Sequence, residues 1–448
     1  MANAQQPHAS PISARRPPTS PLRGSGVCSS VHAGCSADQA EFENDAGGVP
    51  ANPLTQWSET TMRKLLCLAT ITIGVVGQAC LPTPALPATG SPAGPNALSP
   101  KEASAGWLLL FDGQTTFGWQ PLIGSPWTVQ DGALVAPTDG PSVFRADTAF
   151  ADFILKAEMW TDGNASPYIR IYSPPDRDPA EPPSLKGANL VGPPTDPAKR
   201  AAQTGRWVPI EITAQAGNAR VRVAGGRAYP VSREGHNPSV IALCSDGKGT
   251  VRFRGIKLQP IGLKSIFNGK DLTGWKVIPG HASVYSVTPQ GWLNVKNGNG
   301  DIQTEGTYKD FVLQLEIISN GPHLNSGVFF RAIPGEFWSG YESQIRNQWE
   351  DDDRTKPVDY GTGAIYGRQA ARKVVSSDNE WFTMTIVAHG PHMSVWVNGY
   401  QVSDWTDNRP PARSGRQGYR AEAGVISLQG HDPTTDLSFR NIRIAEMP

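Results

Sequence analysis

Asp310-Phe311-Val312-Leu313-Gln314-Leu315-Glu316 alternates apolar residues with a period of two. Phe311, Leu313 and Leu315, with Ile317 next in phase, point one way from an extended chain, which is the pattern of a half-buried β-strand. Met393, Val395 and Val397 repeat it just before Asn398-Gly399, a dipeptide that favours the tight turn of a hairpin. The other apolar runs are also short and bounded by Gly, Asn, Asp and Pro, and no stripe of helical period extends beyond about two turns. The expected fold is all-β: an antiparallel sandwich or jelly roll rather than a parallel α/β sheet.

The same stretch has a twin. Asp152-Phe153-Ile154-Leu155-Lys156-Ala157-Glu158 matches it, Leu110-Phe111-Asp112-Gly113 with Gly118-Trp119 matches Ile266-Phe267-Asn268-Gly269 with Gly274-Trp275, and Phe253-Arg254-Gly255-Ile256 matches Phe439-Arg440-Asn441-Ile442. An ordered internal repeat of this kind means two homologous domains, placed at 104–260 and 261–448. The spacing between matched segments grows along the chain. Domain two is longer between Asn325 and Trp381 than domain one between Asn164 and Trp207, and longer again from Trp381 to Phe439 than from Trp207 to Phe253. Insertions on a rigid β scaffold are where sites are usually built.

Composition narrows the function classes. Of 448 residues, 40 are Lys or Arg and 40 are Asp or Glu, so the basic excess of a nucleic-acid binder is missing and no such partner is expected. Gly (47) and Pro (40) are abundant and charged residues are only 18%, which describes a turn-rich chain with little surface helix. Thirteen tryptophans fill cores for the most part, but an indole face also stacks on a sugar ring. No P-loop, dinucleotide fingerprint or G-x-S-x-G elbow is present.

Residues 1–61 mix Pro, Ser, Ala and Arg without apolar periodicity and are expected to be disordered. Residues 62–80 have the layout of a secretory signal: Met62, the positive pair Arg63-Lys64, an apolar run from Leu65 to Val76, then Gly77-Gln78-Ala79-Cys80. Translation is therefore expected to begin at Met62. The small residues before Cys80 resemble a bacterial lipobox, which makes Cys80 the expected lipidated residue and the membrane its anchor. Gly77 stands where that pattern usually has leucine, and cleavage after Ala79 is the alternative. Both outcomes export the protein to the periplasm or cell surface, with residues 81–103 as a Pro-rich tether. Cys244 alone falls in the repeated region, without a partner for a disulfide, and is expected to be a buried thiol.

Domain two carries further motifs: Asn325-Ser326-Gly327-Val328-Phe329-Phe330-Arg331, Tyr341-Glu342-Ser343-Gln344-Ile345, Thr362-Gly363-Ala364-Ile365-Tyr366-Gly367, and Leu428-Gln429-Gly430-His431. With its opening and closing segments, it resembles the 3-keto-disaccharide hydrolase family over about residues 263–446. Domain one keeps the opening and closing segments but lacks the glutamate-glutamine and histidine motifs, so it is expected to retain the fold without the activity. The resemblance implies a concanavalin-like sandwich that cleaves glycosides already oxidised at the third carbon of the sugar. That ketone acidifies the neighbouring C2 proton, the glycosidic oxygen leaves C1 by elimination, and water then adds. The site needs a base, a group for the enolate oxygen and an acid for the leaving oxygen.

Carried over by motif, Glu342 is the candidate base or metal ligand, with Gln344 beside it on the same strand face. Arg331 is the candidate to hold the enolate or a sugar hydroxyl, and His431 the candidate acid, base or ligand. A divalent metal ion shared by Glu342 and His431 stays open as a cofactor. Asp351-Asp352-Asp353 lacks the spacing of a calcium loop and is expected to be a solvated acidic turn. A non-catalytic carbohydrate-binding or adhesion lipoprotein, using tryptophans such as Trp338, Trp349 and Trp405, is the alternative function.

Overall fold

Trp119 and Trp275 show why the opening motif occurs twice. Each indole Nε1 donates to a backbone carbonyl nine residues earlier, Leu110 O at 2.5 Å and Ile266 O at 2.8 Å. Asp112 and Asn268 accept from the backbone of the intervening turn, at 2.8 Å from Gln114 N and 2.7 Å from Lys270 N. The closing motif is a repeated bulge. Gly255 (φ 59°) and Asn441 (φ 52°) occupy the left-handed region where the last long strand of each half slips register, and Gly and Asn tolerate that region best. The arginine before each bulge pairs with a glutamate, Arg254 with Glu158 at 2.6 Å and Arg440 with Glu316 at 2.7 Å. The same guanidinium lies over Trp207 at 4.1 Å and Trp381 at 3.9 Å.

The computed structural model describes residues 94–172, 188–191, 203–231 and 238–448. The segments 1–61 and 62–80, Cys80 and the start of the tether lie outside them. Among the described residues each half stacks a five-stranded sheet on an eight-stranded one, every pairing antiparallel and the strand order identical in the two halves. In the second half the smaller sheet runs Trp275–Val277, Gly300–Thr304, Val425–Gly430, Ser326–Ala332, Tyr341–Ile345. Its partner is centred on Asp436–Glu446 and Phe311–Ser319. Ile302, Val328 and Leu428 from the first sheet meet Leu313, Leu315 and Phe439 from the second in one core. Asn398 (φ 50°) and Gly399 (φ 75°) form the expected two-residue turn between Val397 and Tyr400. No helix among the described residues is long and apolar enough to cross a membrane.

Two expectations change. Strand Phe153–Thr161 alternates buried and half-exposed residues throughout, but the first five residues of Phe311–Ser319 are all buried. Val312 joins the core of the first half and Gln314 Nε2 donates to Gly106 O at 2.9 Å, because the larger sheet of domain two packs on domain one. Trp396 anchors that interface, fully buried, with Nε1 2.9 Å from Leu109 O and its ring 6.1 Å from Phe150. The tether also ends before residue 103. Ser99 caps helix Pro100–Ser104, while Asn96 donates to Gly132 O at 2.7 Å and accepts from Gly255 N at 2.8 Å, so the chain from Gly94 belongs to the first sandwich. Cys244 is buried and unpaired, and burial pushes its thiol up to about 11.

Candidate functional site

Tyr341–Ile345 is the edge strand of the smaller sheet. Tyr341, Ser343 and Ile345 turn inward, the Tyr341 hydroxyl donating to Asp407 Oδ2 at 2.7 Å, so alternation sends Glu342 and Gln344 to the sheet's outer face. Residues Thr362 to Gly367 run beside this edge: Gln344 N donates to Ala364 O at 3.1 Å and Tyr366 N to Glu342 O at 3.0 Å. Glycine at position 327, across the strand pair, leaves room for the Glu342 carboxyl, since a Cβ there would lie 2.4 Å from its Oε1 and displace it.

The outer face is roofed by the two insertions. From residues 407–424 comes Arg416, whose Nη2 lies 2.5 Å from Glu342 Oε2. Its guanidinium rests over Trp338 at 4.2 Å and near Tyr366 at 5.4 Å. Glu342 is 4% exposed, and burial pushes its carboxyl up to about 7 although Arg416 and His431 pull the other way. The longer insertion supplies Asp359, held in the left-handed region at φ 49°. Asp359 Oδ2 accepts from Gln344 Nε2 at 2.9 Å and from Asn325 Nδ2 at 3.0 Å.

His431 follows strand Val425–Gly430. Its Nδ1 is 3.0 Å from Asp432 Oδ2 and its Nε2 3.3 Å from Asn325 Nδ2. With Nδ1 carrying the proton toward the carboxylate, Nε2 is left as an acceptor. Glu342, Gln344, Gln429 and His431 line one cleft with Asn299, Asn325, Phe337, Trp338 and Tyr366. Its cavity of about 190 Å³ is smaller than the roughly 300–1,000 Å³ of pockets that engulf a drug-sized ligand, so it suits one ring with the remainder in solvent.

Glu342, Gln344 and His431 therefore converge as the motifs implied, but Arg331 does not join them. It is 0% exposed, at φ 47°, and bonded to Asp310 Oδ1 (2.9 Å), Lys309 O (2.7 Å), Gly390 O (2.7 Å) and Arg420 O (3.2 Å). Every arm of the guanidinium is committed to the scaffold, because two loops close over a strand end that looks solvent-facing in the sequence. The cation beside Glu342 is Arg416 instead. On the metal question, Glu342 already has an arginine counter-ion, and no group of three or more His, Cys, Asp or Glu gathers among the described residues. Asp351 pairs with Lys356 at 2.8 Å and Asp353 caps Thr355, a surface turn. Of the three tryptophans considered for sugar stacking, only Trp338 is exposed, at 52%. Trp349 lies under Arg354 and Trp405 packs against Tyr341.

Among the described residues, the first sandwich differs on the sheet that carries the cleft. The core pair Val328 and Leu428 corresponds to Ile169 and Leu243. One step along, the cross-strand pair Asp301 and Gln429 is replaced by Val143 and Cys244. Asp359, Arg416 and Tyr366 were not singled out in the sequence for their chemistry. The lengthening of the two segments that carry them was the available signal.

The second sandwich thus carries a polar cleft on the outer face of one sheet, with a buried carboxylate and an exposed indole among its lining residues. The chain belongs to the family described as 3-keto-alpha-glucoside-1,2-lyase-like domain, whose model matches residues 106–259 and again 262–445. Solved structures similar to it include two of a candidate glycosyl hydrolase from Parabacteroides distasonis ATCC 8503. One is 21% identical over 42% of this chain and 94% of that chain (TM-score 0.34), the other 26% over 42% and 100% (TM-score 0.34). The carbohydrate-binding module CBM66 from Bacillus subtilis is 16% identical over 39% and 97% (TM-score 0.29). A search of curated proteins returned no match.

Proposed function

We propose that the cleft of the second sandwich cleaves 3-keto-glycosides, 3-keto-disaccharides among them, by elimination. Glu342 as carboxylate takes the C2 proton, whose bonding electrons pass toward the C3 ketone to give an enolate. The enolate collapses, the C1 to oxygen bond breaks, and a C1=C2 double bond remains conjugated to the restored ketone. The departing oxygen takes a proton from solvent at the mouth, relayed through Nε2 of the half-exposed His431. Water adding across C1=C2 then completes a net hydrolysis. Arg416 is the cation beside both the base and the developing enolate, and such preorganised charge is usually the largest electrostatic contribution to a rate. The exposed face of Trp338 offers stacking to the second sugar.

The observation that carries this reading is Glu342: a carboxyl buried in a sugar-sized cleft, balanced near neutrality between burial and an arginine, as a general base working near pH 7 requires. Domain one serves as a structural partner. Export, with Cys80 as lipid-bearing residue and the membrane as anchor, belongs to the same reading and is supported by the signal layout of residues 62–80. The test is incubation of the full chain with 3-keto-trehalose or 3-keto-sucrose. Release of free monosaccharide, or of the unsaturated keto sugar, is expected. Tight binding without turnover would make the protein a carbohydrate-binding lipoprotein instead.

A further inference from the structure

Two carboxamides in the cleft share one oxygen. Asn325 Nδ2 and Gln344 Nε2 both donate to Asp359 Oδ2, at 3.0 and 2.9 Å. A carboxylate accepts hydrogen bonds and does not donate them, so neither amide can flip without setting oxygen against oxygen. Asn325 Oδ1 and Gln344 Oε1 are thereby turned away from Asp359. Both atoms are buried and receive no hydrogen bond from the protein, and the same holds for Gln429 Oε1 in the same cleft. His431 differs, since its Nε2 already meets the Asn325 N–H at 3.3 Å and its side chain is 43% exposed. Buried acceptors without donors are costly, and a ligand that supplies the donors recovers that cost.

We propose that Asp359 is a positioning residue that locks the carboxamides of Asn325 and Gln344 with their oxygens toward the ligand, so that the cleft selects a sugar ring by its neighbouring hydroxyl donors. This rests on the carbohydrate reading of the cleft and adds how the ring is chosen. Hydroxyls fit better than a cation. Divalent-ion sites gather several carboxylates, whereas here Glu342 is paired with Arg416 and Asp359 already holds two N–H groups.

The test compares kcat/KM on a 3-keto-disaccharide with that on analogues in which each ring hydroxyl is replaced by hydrogen. Sites built to bond a hydroxyl reject the deoxy analogue strongly, and wild type should lose at least about 100-fold at one or two positions. Asp359→Asn can present an N–H and lets the amides turn. It should keep the wild-type Tm, raise KM more than it lowers kcat, and shrink the discrimination to below about 10-fold. Gln344→Met removes one oxygen and should erase discrimination at a single hydroxyl, which keeps the proposal testable if Asp359→Asn does not fold. Equal discrimination by wild type and both variants would overturn the proposal while leaving the carbohydrate reading intact. So would a rise in Tm on adding calcium chloride that Asp359→Asn abolishes, since that assigns the oxygens to a cation. Wild type that neither cleaves nor binds the parent sugar would bring down the carbohydrate reading and this proposal together.

Discussion

Arg416 and Glu342 are 74 positions apart and meet at 2.5 Å. One comes from an insertion without regular structure, the other from the edge strand of the smaller sheet. The pair sets the protonation of the cleft: burial pushes the Glu342 carboxyl up to about 7 against the pull of the Arg416 guanidinium. Trp338, stacked on Arg416 at 4.2 Å, fixes the arginine and covers the pair.

The rate should follow that ionisation. As the base, Glu342 must be unprotonated, so kcat/KM falls as pH drops through about 7. Glu342→Gln should lower turnover by ~10²–10⁴ and flatten that limb of the pH profile. Arg416→Met removes the neighbour that holds the pKa down and should move the limb to higher pH. A profile unchanged in both variants would take Glu342 out of the mechanism.

His431 is 43% exposed, so His431→Ala should fold normally. A loss of ~10²–10⁴ in turnover is expected for a missing general acid. Asp432→Asn can still cap Thr434 but takes away the carboxylate that holds the Nδ1 proton, which loosens the ring that relays the proton through Nε2. A rate loss at constant Tm, measured side by side for the two variants, checks the relay.

Arg331 should act on stability instead. Removing one partner of a buried ion pair costs about 3–5 kcal/mol, and Arg331→Met also takes the donor from three backbone carbonyls while Asp310 keeps the Gly390 N–H. Thermal unfolding should show a large drop in Tm, with near-normal activity per folded molecule. A variant with normal Tm and no activity would return Arg331 to the chemistry.

Cutting the chain after Pro260 should leave a second sandwich that is poorly soluble and less stable than the full chain, because Trp396, Val312 and Val387 lose their cover in domain one. In the full chain, Trp396→Ala should cost ~3–5 kcal/mol, the usual penalty for emptying a buried aromatic site. Denaturant unfolding of both proteins measures it.

Alternation over Phe311 to Ile317, the Asn398-Gly399 turn and the paired motifs were enough to read two antiparallel sandwiches, because strand period and turn chemistry are local properties of the chain. The same local logic put Glu342 and Gln344 on one strand face, and the lengthened segments of domain two pointed to the half with the chemistry. Arg331 was misplaced because an arginine at a strand end looks the same in sequence whether water or two loops surround it. Asp359 and Arg416 went unread for a related reason: they sit in insertions without periodicity. Their distance from Glu342 exists only once the sheet has formed its edge and both insertions have folded over it. Trp396 likewise reads as one more strand residue until a second sandwich covers it. Local pattern sets which way a side chain points, and the packing of distant segments sets what it meets.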